Sequence, residues 1–284
     1  MTNYRQLIEV AELKSLISSP GCRVVDCRFD LMQPEKGRTE YLAGHIPGAL
    51  FADLDRDLAG PVTPDSGRHP LPGPADFEAT LRGWGIDAGT QVVAYDYASG
   101  ALAARLWWML RWIGHARVAV LNGGLQAWRA AEGRMETEVP EYPATELVVA
   151  PDAARVLTSD EIITTIDAGR ALSLVDARDR PRYAGESEPI DAVAGHVPGA
   201  LNLPFSESLQ ADNTWKSPEE LRQLWSELLG SGDKAPFSVM CGSGVTACHL
   251  VLAAEIAGLA EPRVYVGSWS EWIRDAARPV ATDG

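Results

Sequence analysis

The chain says the same thing twice. The heptapeptide "AGHIPGA" at residues 43–49 returns as "AGHVPGA" at 194–200, about half the chain later, and its flanks return with it. Upstream, "RVVDCR" (23–28) answers to "SLVDAR" (173–178). Downstream, "VAVLNGGLQAW" (118–128) answers to "RVYVGSWSEW" (263–272). A unit this long is a whole domain rather than a solenoid turn, so the sequence predicts two homologous domains in tandem. The join falls near "EVPEYPATELVVAPDAA", where proline and scattered polar residues replace helical periodicity; "LTSDEI" then opens a helix capped by Thr158 or Ser159. The expected division is a first domain over 1–140, a linker over 141–157 and a second domain over 158–284.

Within each unit, short β-branched runs alternate with longer stretches of helical period. "RVVDC", "QVVAY" and "RVAVL" in the first half answer to "LSLVD", "FSVM" and "RVYV" in the second, with "ALAARLWWMLRWI" and "ACHLVLAAEIAGL" between. Runs that are apolar throughout fit parallel strands buried on both faces, with helices covering them. Each domain is therefore expected to be α/β, a mostly parallel sheet flanked by helices, with its ligand site beyond the carboxyl ends of the strands.

Composition narrows the partners. A formal net charge of −14 repels phosphate backbones and anionic lipid, which argues against nucleic acid and membrane surfaces. Four cysteines among 284 residues are too few for a disulfide framework, and "MTNYRQLIEVAELKS" lacks the basic start and apolar core of an export signal, so a cytoplasmic protein is expected. The most apolar helical run carries Arg105 and Arg111, which oppose membrane insertion; its tryptophans read as core.

One stretch has a chemical signature. In "SVMCGSGVTACHL" (238–250), Cys241 stands where an apolar strand breaks into glycines ahead of a helix. A thiolate is stabilised by inward-pointing loop amides and a helix N-terminus, and Gly242 and Gly244 let the chain curl tightly enough to form such a nest. The same cradle suits an anionic persulfide. An inert buried thiol is the competing reading, disfavoured by the strand end and the glycines. For Cys248, one turn into the helix, and for Cys22 and Cys27, which bracket a predicted strand, packing is the simpler account. A metal site from Cys241, Cys248 and His249 lacks recognisable zinc spacing, and neither metal nor organic cofactor is expected.

On these residues the chain resembles the rhodanese superfamily in its two-domain form: the paired GH-x-PGA motifs, the glycine-tryptophan endings and the loop "CGSGVTA", which is similar to that of the mercaptopyruvate-using branch. The resemblance covers nearly the whole chain. It implies that the second domain alone is reactive, since Asp96 follows "QVVAY" where Cys241 follows "FSVM", and an aspartate cannot accept sulfane sulfur. It also implies a division of labour: Cys241 as nucleophile; amides of Gly242, Gly244, Val245 and Thr246 stabilising the sulfur; and Arg182 holding the donor carboxylate, with Arg178 nearby, in an ion pair or on the substrate. Asp55 and His69, from "FADLDRDLAGPVTPDSGRHPLPG", would join Ser243 in a proton relay. His45 and His196 are expected to fasten the turns that follow them. Ile190 occupies the place of a second carboxylate-binding arginine. A cysteine phosphatase would need an arginine where Ala247 stands.

The implied activity is transfer of sulfur from 3-mercaptopyruvate through a Cys241 persulfide, releasing pyruvate. The expected partners are that small-molecule donor, a thiol or cyanide acceptor and a thioredoxin-like reductant. Two other readings stand beside it: thiosulfate:cyanide sulfurtransfer, and a persulfide-carrying or docking module without turnover.

Overall fold

The computed structural model describes residues 3–230 and 236–283. Two compact units emerge, each with its own sheet and core. The first comprises Met1–Gly60, Leu71–Asp152 and Ala211–Trp215; the second comprises Pro61–Pro70, Ala153–Gln210 and Lys216–Gly284. Each half of the sequence therefore lends a short segment to the unit built mainly by the other.

In the first unit the strands are β1 (Leu7–Ile8), β2 (Cys22–Asp26), β3 (Ala49–Phe51), β4 (Gln91–Tyr95) and β5 (Val118–Leu121). Their order is β1-β5-β4-β2-β3, and every pairing is parallel. The second unit repeats this with β6 (Val156–Leu157), β7 (Leu174–Asp176), β8 (Leu201–Asn202), β9 (Ser238–Met240) and β10 (Arg263–Tyr265), ordered β6-β10-β9-β7-β8 and again parallel throughout. Helices cover the sheets: α1 (Val10–Leu16), α2 (Pro34–Ala43), α3 (Pro74–Gly83), α4 (Ala103–Trp112) and α5 (Gly124–Ala130) in the first unit. In the second they are α6 (Ser159–Asp167), α7 (Arg180–Ala184), α8 (Pro218–Leu229), α9 (Ala247–Ile256) and α10 (Ser268–Trp272).

The β-branched runs became the central strands because both of their faces are covered. Val24, Val93 and Ala119 in one unit, and Leu174 and Met240 in the other, are buried in the sheet cores. α4 buries Trp107 and Trp108 completely, so these tryptophans are core. α6 begins as its sequence indicates: Thr158 is the N-cap, its hydroxyl accepting from the Glu161 amide while the Glu161 carboxylate accepts from the Thr158 amide. No helix among the described residues is long and apolar enough to cross a membrane.

The repeated motifs do the same work in both units. Asp26 takes a fork of hydrogen bonds from Arg28 (2.7–3.0 Å), and Arg28 also reaches the Gly44 carbonyl at 2.9 Å. Asp176, Arg178 and Gly195 reproduce this set, with Arg178 Nη2 to Gly195 O at 2.7 Å. The GH-x-PGA histidines were expected to fasten the turn that follows. They instead tie back to the preceding helix: His45 Nδ1 lies 2.7 Å from Tyr41 O and His196 Nδ1 lies 2.8 Å from Tyr183 O, each ring stacked on that tyrosine. The reason is geometric, since a carbonyl in the helix's last turn keeps a lone pair for a second donor and lies within the ring's reach.

Candidate active site

Cys241 is the first residue after β9, at the carboxyl end of a central strand. The chain then turns through Gly244, whose φ of +77° is open to glycine; a Cβ there would run into the Val266 carbonyl oxygen. This turn brings the Gly244 amide back onto Cys241, donating to Sγ at 3.1 Å. The Cys241 amide donates to Ser268 Oγ at 3.1 Å, and the Ser268 hydroxyl donates to Tyr265 O at 2.8 Å. The start of α10 holds the loop's carbonyls: Trp269 N–H to Cys241 O at 3.0 Å and Ser270 N–H to Gly242 O at 2.9 Å. The sulfur is thus fixed by strand, turn and helix start together, and residue 241 is 2 % exposed.

The expected ring of amides is smaller than foreseen. Among the described residues, Gly244 alone contributes an N–H to Sγ, and the amides of Gly242, Ser243, Val245 and Thr246 are not hydrogen-bonded to it. A sulfur only two bonds from its own Cα is reached best by the amide three residues on, where the turn closes.

Ser243, 7 % exposed, has its Oγ 2.7 Å from His69 Nδ1, with His69 4 % exposed. His69 comes from the segment Pro61–Pro70, which belongs to the second unit. That segment is docked closely: the Arg68 amide donates to Ser270 Oγ at 3.0 Å, and a Cβ on Gly67 would collide with the Gly267 carbonyl. Asp55 belongs to the first unit, and burial beside Asp53 holds its carboxyl above the usual range.

The three arginines of "DARDRPR" part company. Arg178, expected near the substrate, is 3 % exposed, with its fork on Asp176 and Gly195, Nη1 3.3 Å from Glu188 and its plane 4.6 Å from the Trp269 ring. The same arrangement around Arg28, in the unit whose loop carries Asp96 where the second has Cys241, identifies it as a structural fastening rather than a substrate contact. Arg180 is exposed and pairs with Glu207 at 2.7 Å. Only Arg182 turns to the loop, its Nη2 3.5 Å and Nη1 3.7 Å from where a Gly242 Cβ would stand. Arg182 Nε donates to both oxygens of Glu188 at 3.0 Å, and Nη2 reaches Asp191 Oδ2 at 3.2 Å. Burial would raise the Glu188 carboxyl, but Arg182 and the amides of Asp191 and Ile190 hold it below its ordinary value. For Asp191 the balance reverses, and burial keeps it above its ordinary value against Arg68 and Arg182. Ile190 is 40 % exposed and contributes only its amide, to Glu188.

Arg68, Glu188, Asp191, Ser268 and Ser270 were not foreseen. The signals available were an arginine next to His69 and two carboxylates three residues apart in "ESEPID". The other cysteines are packing residues: burial pushes the Cys22 thiol up to about 11 and raises Cys27 well above its ordinary value, with Asp26, Asp96 and Asp57 adding to it. Cys248 is buried in α9 and donates to Gly244 O at 3.3 Å.

Asp96 holds the place of Cys241 in the first unit. Its carbonyl accepts from Leu125 N–H at 2.9 Å, as that of Cys241 does from Trp269. Its carboxylate folds back into its own loop, accepting from the amides of Ala98, Gly100, Leu102 and Ala103 at 2.8–3.2 Å. The first unit's nest is filled by a side chain of the chain itself.

A family model described as "Rhodanese-like domain" matches the sequence twice, at residues 9–131 and 158–275. The chain is 44 % identical over 279 residues to the "Probable 3-mercaptopyruvate sulfurtransferase" of Pseudomonas aeruginosa, covering 98 % of both chains. It is 36 % identical over 285 residues to the "Thiosulfate sulfurtransferase" of Bos taurus, covering 96 % of this chain and 93 % of that one. Among solved structures, the 3-mercaptopyruvate sulfurtransferase from Leishmania major superposes with a TM-score of 0.83 at 34 % identity, covering 94 % of this chain and 74 % of that one.

Proposed function

Because this chain belongs to the rhodanese family, we propose that it is a sulfurtransferase that draws sulfur from 3-mercaptopyruvate onto Cys241, holds it there as sulfane sulfur and passes it to a thiophilic acceptor. The observation that carries this reading is the Gly244 amide donating to Cys241 Sγ at the end of β9. The turn aims a fixed N–H dipole at the sulfur, where negative charge resides during attack and on the persulfide that transfer leaves.

The Cys241 thiolate attacks the sulfur of 3-mercaptopyruvate. An S–S bond forms as the donor's C–S bond breaks, and its electron pair leaves on carbon as the enolate of pyruvate. Protonation of that carbon gives pyruvate. Ser243, bonded to His69, is the proton-handling group in this reading. Arg182 takes the donor carboxylate. A thiol acceptor, a thioredoxin-like reductant among them, or cyanide then attacks the outer sulfur and returns the Cys241 thiolate. We place the activity in the cytoplasm, a reading supported by four cysteines of which none is in a disulfide.

The test is a side-by-side assay of wild type and Cys241→Ser with 3-mercaptopyruvate and with thiosulfate. The reading expects higher kcat/KM on 3-mercaptopyruvate, and pyruvate release abolished by the substitution. A higher kcat/KM on thiosulfate would move the assignment to the thiosulfate enzyme, and a Cys241→Ser protein that still released pyruvate would exclude Cys241 as the nucleophile.

A further inference from the structure

A cavity of about 520 Å³ opens in the second unit at the amino ends of β9 and β10, the end of the sheet away from Cys241. That volume is in the range of small-molecule sites. Leu157, Ile162, Leu172 and Phe237 give it an apolar lining, with Arg170 and Glu161 on its exposed rim. Arg170 makes no ion pair or side-chain hydrogen bond among the described residues.

The first unit shows what such a cavity takes. Strand pairing sets Leu7 against Val120 and Val156 against Val264, and the two capping boxes begin two residues later, at Glu9 and Thr158. In this register Tyr4 corresponds to Ala153, Glu12 to Glu161 and Gln91 to Pro236. Tyr4 spans the latter two partners in its own unit. Its amide donates to Gln91 Oε1 at 3.0 Å, its carbonyl accepts from Gln91 Nε2 at 2.9 Å, and its ring packs on the core beside Glu12. Glu161 and Pro236 both line the second unit's cavity. That unit therefore has the walls of an aromatic seat, but an alanine at the position from which the ring would come.

We propose that this cavity binds a small aromatic monocarboxylate, its ring taking the place that Tyr4 fills in the first unit and its acid group meeting Arg170. The apolar lining rewards burial of a ring, and a guanidinium presents a planar fork to a carboxylate. Arg263, the other arginine of the cavity, is already taken by Glu161 and the Val156 carbonyl, which leaves Arg170 for the acid. Asp160 and Glu161 on the same rim repel a second negative charge, so a dianion such as a phosphate ester is disfavoured. The site is separate from the sulfur chemistry: Ser238, in its wall, stands at the start of β9 and Cys241 just past its end, about 10 Å along the strand.

The probe is 3-(4-hydroxyphenyl)propanoate, a tyrosine side chain carrying a carboxylate, titrated into the full-length protein and followed by ligand-observed NMR. Saturable binding is expected, about tenfold or more tighter than that of 4-ethylphenol, which keeps the ring and lacks the acid. Excess pyruvate, a carboxylate without the ring, is expected not to displace it. Arg170→Met should weaken binding by about tenfold or more, and Ala153→Tyr, which restores the first unit's residue, should abolish it. Both positions are exposed, so both variants are expected to keep the fold, which circular dichroism checks. No saturable binding to wild type, equal affinity for 4-ethylphenol, displacement by pyruvate, or unchanged affinity in either variant overturns the assignment. Should one variant not fold, the other decides. None of these outcomes depends on which donor supplies sulfur to Cys241.

Discussion

The Gly244 amide donates to the Cys241 sulfur across 3.1 Å, and it can do so only because residue 244 has a φ of +77°. The contact holds the positive end of a fixed N–H dipole against the reacting atom at no cost in reorganisation during the reaction. Gly244→Ala is expected to lose about 2 kcal/mol or more of stability, from the left-handed backbone and the collision with the Val266 carbonyl. Turnover should fall by about 100-fold as the loop shifts. Urea unfolding and a pyruvate assay measure both, and a variant as stable and active as wild type would contradict the role given to the turn.

Ser243 is bonded to His69 and not to the nucleophile, which separates proton handling from nucleophilic attack. Ser243→Ala should therefore lower kcat with 3-mercaptopyruvate by about 100-fold while leaving KM within about threefold. Stopped-flow release of pyruvate reads this directly. A loss confined to KM would make the Ser243–His69 pair a binding element instead.

Glu188 ties the loop before the second GH-x-PGA motif to both Arg178 and Arg182. Burial opposes its ionisation, but Arg182 and two amides more than offset this, so its folded-state value lies below the ordinary one. Between those two values the unfolded chain binds more protons than the folded one, so stability rises with pH across that window. The contribution is complete above about pH 5 and is lost as pH falls through the lower, folded value. Thermal melts of wild type and Glu188→Gln should accordingly differ most near neutrality and converge in acid; a gap independent of pH would mean that the carboxylate's charge does not matter.

Asp96 satisfies four amides of its own loop from a fully buried position. Burial pushes its carboxyl up against the pull of those amides, yet removing the acceptor would leave several buried donors unpaired. Asp96→Ala is expected to cost about 3 kcal/mol in urea unfolding, with kcat of the folded protein retained. A neutral substitution would show that the first unit's nest needs no anion.

The chemistry was legible where the residues that share it are also neighbours in sequence. Cys241, Gly242, Ser243 and Gly244 form one continuous loop, and the strand before it and helix after it are strongly patterned, so position and curl could both be read. Thr158 and Glu161 gave their cap away in the same manner. What escaped was what tertiary structure brings together. Arg68 meets Asp191 across 123 positions, and nothing around "SGRHP" indicates that this segment belongs to the second unit. Arg178 was placed with Arg182 because they are close in sequence, but α7 begins between them, and only the later arginine faces the loop. β1, β6 and β8 have two residues each, too few to show a period.

The most direct measurement is the mass of the protein after one equivalent of 3-mercaptopyruvate, with the modified residue located by peptide sequencing. The account predicts a gain of one sulfur atom on Cys241, formed in step with pyruvate and removed by cyanide or a thiol. A Cys241→Ser protein that gained the same mass, or a wild type that released pyruvate while its Cys241 stayed unmodified before an acceptor was added, would contradict it.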